Sequence, residues 1–276
     1  MDRTIVHDTH MAINLAHRLV YFVPEAAEEY AAIGVTGRGG YFASRVAPVG
    51  PVADQVIVAT FYNFAPRAVA AAMPGVWAAA TPAAIQEARF RAVVRSLTRI
   101  GVSPSAADLS EARAIIDPVV AGLDYAGKPL AAANAAVVLP SDPLLALWQQ
   151  ITIIREWRGD AHIALLVANR IGPSECMVLQ VGTGRFPLGT AMASRQWNET
   201  EWAGAVSTLS ERGWVDSSGA MTPEGTAARE AIEDDTDRLC EPMWTVVGDA
   251  KTKRLGELIW PIHQAVDAAG TYAALK

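Results

Sequence analysis

The densest run of chemically capable side chains is ITIIREWRGDAHIALL, which places Arg155, Glu156, Arg158, Asp160 and His162 within eight positions. On a helix Arg155 and Arg158 share a face, whereas Glu156 points about 100° away from Arg155. Gly159 is expected to end one helix and Asp160 to cap the next. His162 then falls in a first turn, where the positive helix end holds its imidazole neutral. Two guanidiniums beside a neutral imidazole suit a carboxylate-bearing ligand, with His162 as a candidate catalytic acid or base. The same five residues also suit a buried ion-pair network that locks two helices together.

A second cluster lies in TGRGGYFASRVAPVG and the TFYNF that follows. Glycines flank Arg38, so backbone N–H groups can approach a ligand there. Tyr41 and Arg45 are spaced to share a helix face. Tyr62 and Asn63 carry polar atoms inside an aromatic patch, and polar atoms so placed need partners. Phe42, Phe61 and Phe64 read equally well as core. An aromatic wall with arginine and amide handles fits a flat organic molecule. The candidate ligand-binding set is therefore Arg38, Tyr41, Arg45, Tyr62, Asn63, Arg155, Glu156, Arg158 and Asp160.

The remaining histidines argue less. His10 and His17 are seven residues apart, on one helix face but wider than the spacing of HExxH, which is absent. A metal or haem at His10, His17 or His162 is permitted but not indicated, so no metal site is expected and the cofactor stays unknown. Cys176 and Cys240 form no CxxC pair and read as buried small hydrophobes. GxGxxG, GxxxxGK[ST] and GxSxG are missing.

These groups must be positioned by a largely helical chain. The 276 residues are 51% hydrophobic and 19% charged, with a formal net charge of −6, enough for a large core and too apolar for general disorder. Segments 10–22, 24–33, 52–62, 81–99, 105–121, 142–157 and 160–170 read as helices, several with start signals such as Thr81-Pro82, Ser103-Pro104 and Ser141-Asp142-Pro143. Beyond residue 160 the texture changes. Asn198-Glu199-Thr200-Glu201 opens a helix that ends at Arg212-Gly213. Short strands Trp214–Asp216 and Ala220–Thr222 are expected around a Ser-Ser-Gly turn, and Thr222-Pro223 opens a long helix. Helix, turn, helix, hairpin, helix is the order of a winged helix-turn-helix unit. Weak matches in the same order, such as SEARAIIDP with TAAREAIED and LLALW with LGELIW, suggest a tandem duplication. The expected fold is mostly α, with pseudo-symmetric halves: a wingless helical half at 1–157 and a winged-helix-like half at 158–276 with a small β-hairpin.

The combination RGGYFASRVAPVG, ATFYNF, REWRGDAHIALL, RQWNETEW, LSERGWVDSSGAMTPEG and EDDTDRL resembles a family of actinobacterial proteins of about this length, labelled winged helix-turn-helix or MarR-like. The resemblance spans nearly the whole chain. It implies a regulator ancestry, a twofold homodimer, and small aromatic effectors held between helices. One departure is plain: from Arg195 to Glu241 four arginines face eleven acids, a local charge of −7, and the hairpin tip has no cation.

Three functions are weighed. The first is a small-molecule-binding protein of winged-helix ancestry with a pocket between its halves for an aromatic or anionic ligand. The second is an enzyme of secondary metabolism with His162 as acid or base. The third is a MarR-like DNA-binding transcriptional regulator, which the charge disfavours. No signal peptide or long apolar run is seen, so a cytoplasmic protein without membrane partners is expected, with a homodimer compatible.

Overall fold

The computed structural model describes residues 1–184 and 186–273. The N-terminal helices are α1 (Arg3–His17), α2 (Pro24–Ala31), α3 (Arg38–Val46), α4 (Asp54–Phe61), α5 (Pro66–Ala72), α6 (Val76–Ala79), α7 (Pro82–Ile100) and α8 (Ala106–Ala121). They are followed by α9 (Pro129–Ala135), α10 (Pro143–Ala168), α11 (Pro173–Gly182), α12 (Leu188–Arg195), α13 (Glu199–Glu211), α14 (Pro223–Trp244) and α15 (Gly248–Ala268). Many helix starts follow their residues. Thr81, Asp142 and Thr222 each accept a backbone N–H with proline next in line, and Asn198 with Glu201 forms a reciprocal capping box. Gly101 ends α7 at φ +79°, a left-handed stop that suits glycine. The helix expected from Ser103-Pro104 is instead capped by Ser105, whose hydroxyl accepts from Asp108 N.

Two hydrophobic cores organise the chain. The larger gathers side chains from α1 through α10 and closes with Cys240, Met243, Trp244, Leu255, Ile259, Ile262, Val266 and Tyr272. α1 and α15 lie side by side, and Gly256 allows the close approach: a Cβ there would stand 3.2 Å from Thr9 Oγ1. The smaller core joins Leu166 and Ile171 to Val178, Leu179, Ala205, Leu209, Val215 and Ile232. α10 connects the two. Leu145–Ile154 is buried on every side in the larger core, and Leu166 reaches the smaller one.

Two expectations are corrected here. Gly159 does not break α10, which runs 26 residues without interruption across position 157. The first half of α10 is buried on every side and its second half keeps Glu156, Asp160, Ala161 and Leu166 inside, so packing outweighs the modest helix cost of one glycine. Asp160 therefore caps no new helix of its own, and His162 sits mid-helix rather than in a first turn.

The second correction concerns the wing. No β-strand occurs among the described residues, so the winged helix-turn-helix unit with a small β-hairpin is not formed. Only an isolated antiparallel bridge joins Val215 to Met221. The segment is too short for a ladder. Trp214 N already donates to Leu209 O, Gly213 sits at φ +71°, and Thr222 is committed as the cap of α14. Asp216 folds the intervening residues into a tight turn, accepting from Ser218 N and Ala220 N. The winged-helix and MarR-like descriptions fall with the strands.

Among the described residues no single helix is long and apolar enough to cross a membrane. The sharply bent pair 66–79 and 82–100 meets the criteria of length and composition when taken together.

Candidate functional site

Where α10 passes from one core to the other, a cleft of about 670 Å³ opens beside it. Its walls come from α1, α3, the turn after α4, α10, α11 and α12. The structure brings to this cleft Arg38, Tyr41, Arg45, Tyr62, Asn63, Arg155, Glu156, Arg158, Asp160 and His162, together with His7 and His10. Its volume lies in the range of small-molecule sites.

Glu156 organises one end. It is 3% exposed and accepts from Arg45 Nη2 at 3.0 and 3.1 Å and from Arg155 Nη1 at 2.7 Å. Burial favours the neutral acid, but Arg155, Arg45 and Arg89 outweigh it and hold the carboxyl below its ordinary range. Arg45 also donates to Tyr41 Oη at 3.2 Å and lies 4.4 Å from the Phe61 ring centre. Burial would raise the Tyr41 pKa, yet Arg45, Arg195 and Arg155 bring it below the ordinary phenol value. Arg155 reaches Asn14 Oδ1 at 3.3 Å.

The other end is balanced. Arg158 Nη2 donates to Glu233 and Asp237, both at 2.9 Å. Asp237 is shared with His7 Nδ1 at 2.9 Å, a contact that raises the His7 pKa. Burial pushes the Asp160 carboxyl up to about 6, although Leu130 N and Ala131 N both donate to it at 3.0 Å. It thus closes the start of α9 rather than a segment of α10.

His162 Nδ1 is 2.9 Å from Thr236 Oγ1, whose own hydroxyl donates to Ile232 O at 2.7 Å. Thr236 therefore accepts, the proton sits on Nδ1, and Nε2 keeps a free lone pair. Burial lowers the imidazole pKa, so the ring is neutral near pH 7. Such a group can take up a proton from a bound molecule.

Tyr62, at φ +48°, donates its hydroxyl to Ile171 O. Asn63 O accepts from Trp197 Nε1 at 3.0 Å. Arg38 donates to Ala193 O at 3.3 Å and to Ser194 O, closing the end of α12. The Arg38 and Trp197 bonds tie α12 and the residue pair after it to the N-terminal walls, and the Tyr62 bond ties the turn between α10 and α11 to them.

The deeper histidines are structural in their contacts. His10 Nε2 accepts from Trp244 Nε1 at 3.1 Å, and burial lowers its pKa to about 3. His17 stacks on Trp148 at 5.0 Å and meets Arg89 at 3.2 Å. Among the described residues no three His, Cys, Asp or Glu stand placed to hold a metal ion. Burial raises Cys176, in the cleft wall, and Cys240 to about 12, so neither is a thiolate near neutrality.

Sequence reasoning missed Arg195, Glu233, Asp237 and Thr236. The three α14 residues lie about three to four turns into a helix read only as acidic, more than 70 positions from Arg158 and His162. Arg195 entered only as the first residue of RQWNETEW, with no role assigned.

Residues 6–273 match the profile of a family described as "Helix-turn-helix family". No curated protein and no solved structure matches the chain. The reading of a small-molecule-binding protein of winged-helix ancestry is accordingly corrected: no strand forms a wing, and α10 runs unbroken through the boundary proposed between halves. What stands is broader, and the match covers nearly every residue: the chain belongs to this helix-turn-helix family.

Proposed function

We propose that the chain is a DNA-binding transcriptional regulator that presents α13 to the duplex. Membership of a helix-turn-helix family carries this reading. The local geometry supports it. α11 and α13 pack through Val178, Leu179, Ala205 and Leu209, a helix pair joined through α12. The outward face of α13 carries the exposed, uncharged Thr200, Ala203, Gly204, Ser207 and Thr208, with the exposed carboxylates Glu199 and Glu211 at its two ends. Small residues let a backbone come close, and hydroxyls donate to phosphates or base edges.

The acidity of the segment is partly internal. Glu201 is paired with Arg67, Glu233 with Arg158 and Arg229, and Asp237 with Arg158 and His7. At the C-terminal end of α13, Arg212 donates to Asn169 O and Arg170 O, which places Arg170 and Arg212 side by side and exposed. Two cations per chain make electrostatic attachment weak, so specificity has to come from α13.

Selection from a randomised duplex library tests the proposal. Recovery of a consensus that loses binding when Thr208 is replaced by Glu supports it. A library that stays random after repeated rounds at low salt overturns it.

A second reading, acid–base chemistry in the cleft, is favoured by the neutral His162 with Nε2 unpaired. Diethyl pyrocarbonate acylates neutral imidazole, so His162 should react ahead of the buried His10 and His17. An inert His162 would remove this reading.

A further inference from the structure

Arg195 ends α12, and its guanidinium lies 4.3 Å from the Phe64 ring centre in the cleft wall. Among the described residues no carboxylate pairs with it. Nη1 reaches Ser194 Oγ at 3.2 Å, and Nε is out of solvent with no partner. Partial burial lowers the guanidinium's pKa, whereas the other arginines beside it, Arg45 and Arg155, are raised by Glu156. Arg195 is half-buried, and a cation in that position with no counter-ion and an enclosed, unpartnered Nε is unfavourable unless something else satisfies it.

Its place is imposed by the backbone. Ala65 N donates to Arg195 O at 3.0 Å, Arg38 holds the two preceding carbonyls, and Gln196 turns at φ +59°. The surroundings add positive charge. Arg38, Arg45, Arg155 and Arg195 line this end against the single carboxylate of Glu156, a formal balance of +3. Arg158 and Arg229 pair with Glu233 and Asp237, and these four cancel. The lowered phenol of Tyr41 reports the same field. Beside the cations stand the rings of Tyr41, Phe61 and Phe64.

We propose that this end of the cleft seats an organic anion, its carboxylate, sulfonate or phosphate on Arg195 and its apolar body against Tyr41, Phe61 and Phe64. This inference is independent of DNA binding. It rests on Arg195 and stands or falls without α13.

The test compares two probes with the same rings, 8-anilinonaphthalene-1-sulfonate and neutral N-phenyl-1-naphthylamine, by fluorescence titration of the full chain. The sulfonate is expected to bind one per chain and at least about tenfold tighter than the neutral probe, as a charged hydrogen bond implies. Arg195→Met should remove that preference while leaving neutral-probe affinity within about twofold, since only the charged contact is lost. Arg195→Lys should retain most of it, and Arg212→Met, outside the cleft, all of it. Equal affinities for the two probes in the wild type overturn the proposal, as does an undiminished preference in Arg195→Met. Should Arg195→Met not fold, the wild-type comparison decides alone.

Discussion

Replacing Glu156 by Gln keeps the shape of the side chain and removes the charge shared by Arg45 and Arg155. Both cations stay largely enclosed, now facing an amide whose oxygen can satisfy only part of what the carboxylate did. Breaking a buried pair by removing one partner costs about 3–5 kcal/mol. Glu156 is 3% exposed, so solvent screening gives little relief. At about 2–4 °C per kcal/mol for a chain of this size, the melting temperature should fall by about 10 °C. Urea unfolding followed by circular dichroism measures the difference directly. Its pH dependence is fixed in sign. The folded-state pKa of Glu156 lies below its unfolded value, so its contribution is complete above about pH 4.5 and is lost as pH falls through the depressed folded value. The gap between wild type and variant is therefore flat from neutral to alkaline pH and narrows in acid. The same change leaves the arginine end of the cleft more positive, so the sulfonate probe should bind Glu156→Gln at least as tightly as wild type. A loss below about 1 kcal/mol, the scale of an exposed pair, would refute the reasoning. So would a gap that widens in acid.

Asp160→Asn should behave in the opposite way. With the folded carboxyl at about 6, above its unfolded value of 3.8, wild-type stability is greatest below the unfolded value and falls as pH rises through the folded one. The amide can still accept from Leu130 N and Ala131 N. The variant should therefore gain about 1–3 kcal/mol over wild type at pH 8 and little at pH 4, read from urea midpoints at both. Gly225→Ala should disrupt the α13–α14 junction, because a Cβ there would stand 1.9 Å from Trp214 O, a backbone atom. A loss of more than about 3 kcal/mol is expected, measured by hydrogen exchange in α13 and α14. Thr208→Glu, on the exposed face of α13, should leave the melting temperature unchanged while weakening duplex binding at least about tenfold through repulsion by phosphate.

Much of the cleft was legible because its residues come in short runs whose spacing fixes a helix face. Tyr41 with Arg45, and Arg155 with Arg158, needed only the helical period. That the two runs meet at Glu156 is a tertiary fact, since 111 positions separate Arg45 from Glu156. Asp160 was read as a cap, and it does satisfy helix-start N–H groups, but those of α9, thirty residues away. Local sequence shows the appetite of a side chain for N–H donors without showing whose. Gly159 misled because its propensity is a local quantity, whereas α10 is carried past it by the packing of Glu156, Asp160, Ala161 and Leu166 on its inner side. The supposed wing failed for a related reason: residue types favoured a hairpin, but the caps and stops at Gly213 and Thr222 left no length for one. Arg195 was illegible because its meaning lies in what is missing around it, and an absent counter-ion has no sequence signature.

The proposal that this helix-turn-helix protein reads DNA through α13, with little help from surface charge, has a sharp thermodynamic signature. Fluorescence anisotropy of a labelled selected duplex, titrated between about 50 and 200 mM salt, tests it most directly. Two exposed arginines predict a logarithmic salt slope of about −2 per bound chain and an affinity that Thr208→Glu destroys. Absence of binding at the lowest salt would contradict it. Binding with a slope several times steeper that is indifferent to Thr208→Glu would do so equally.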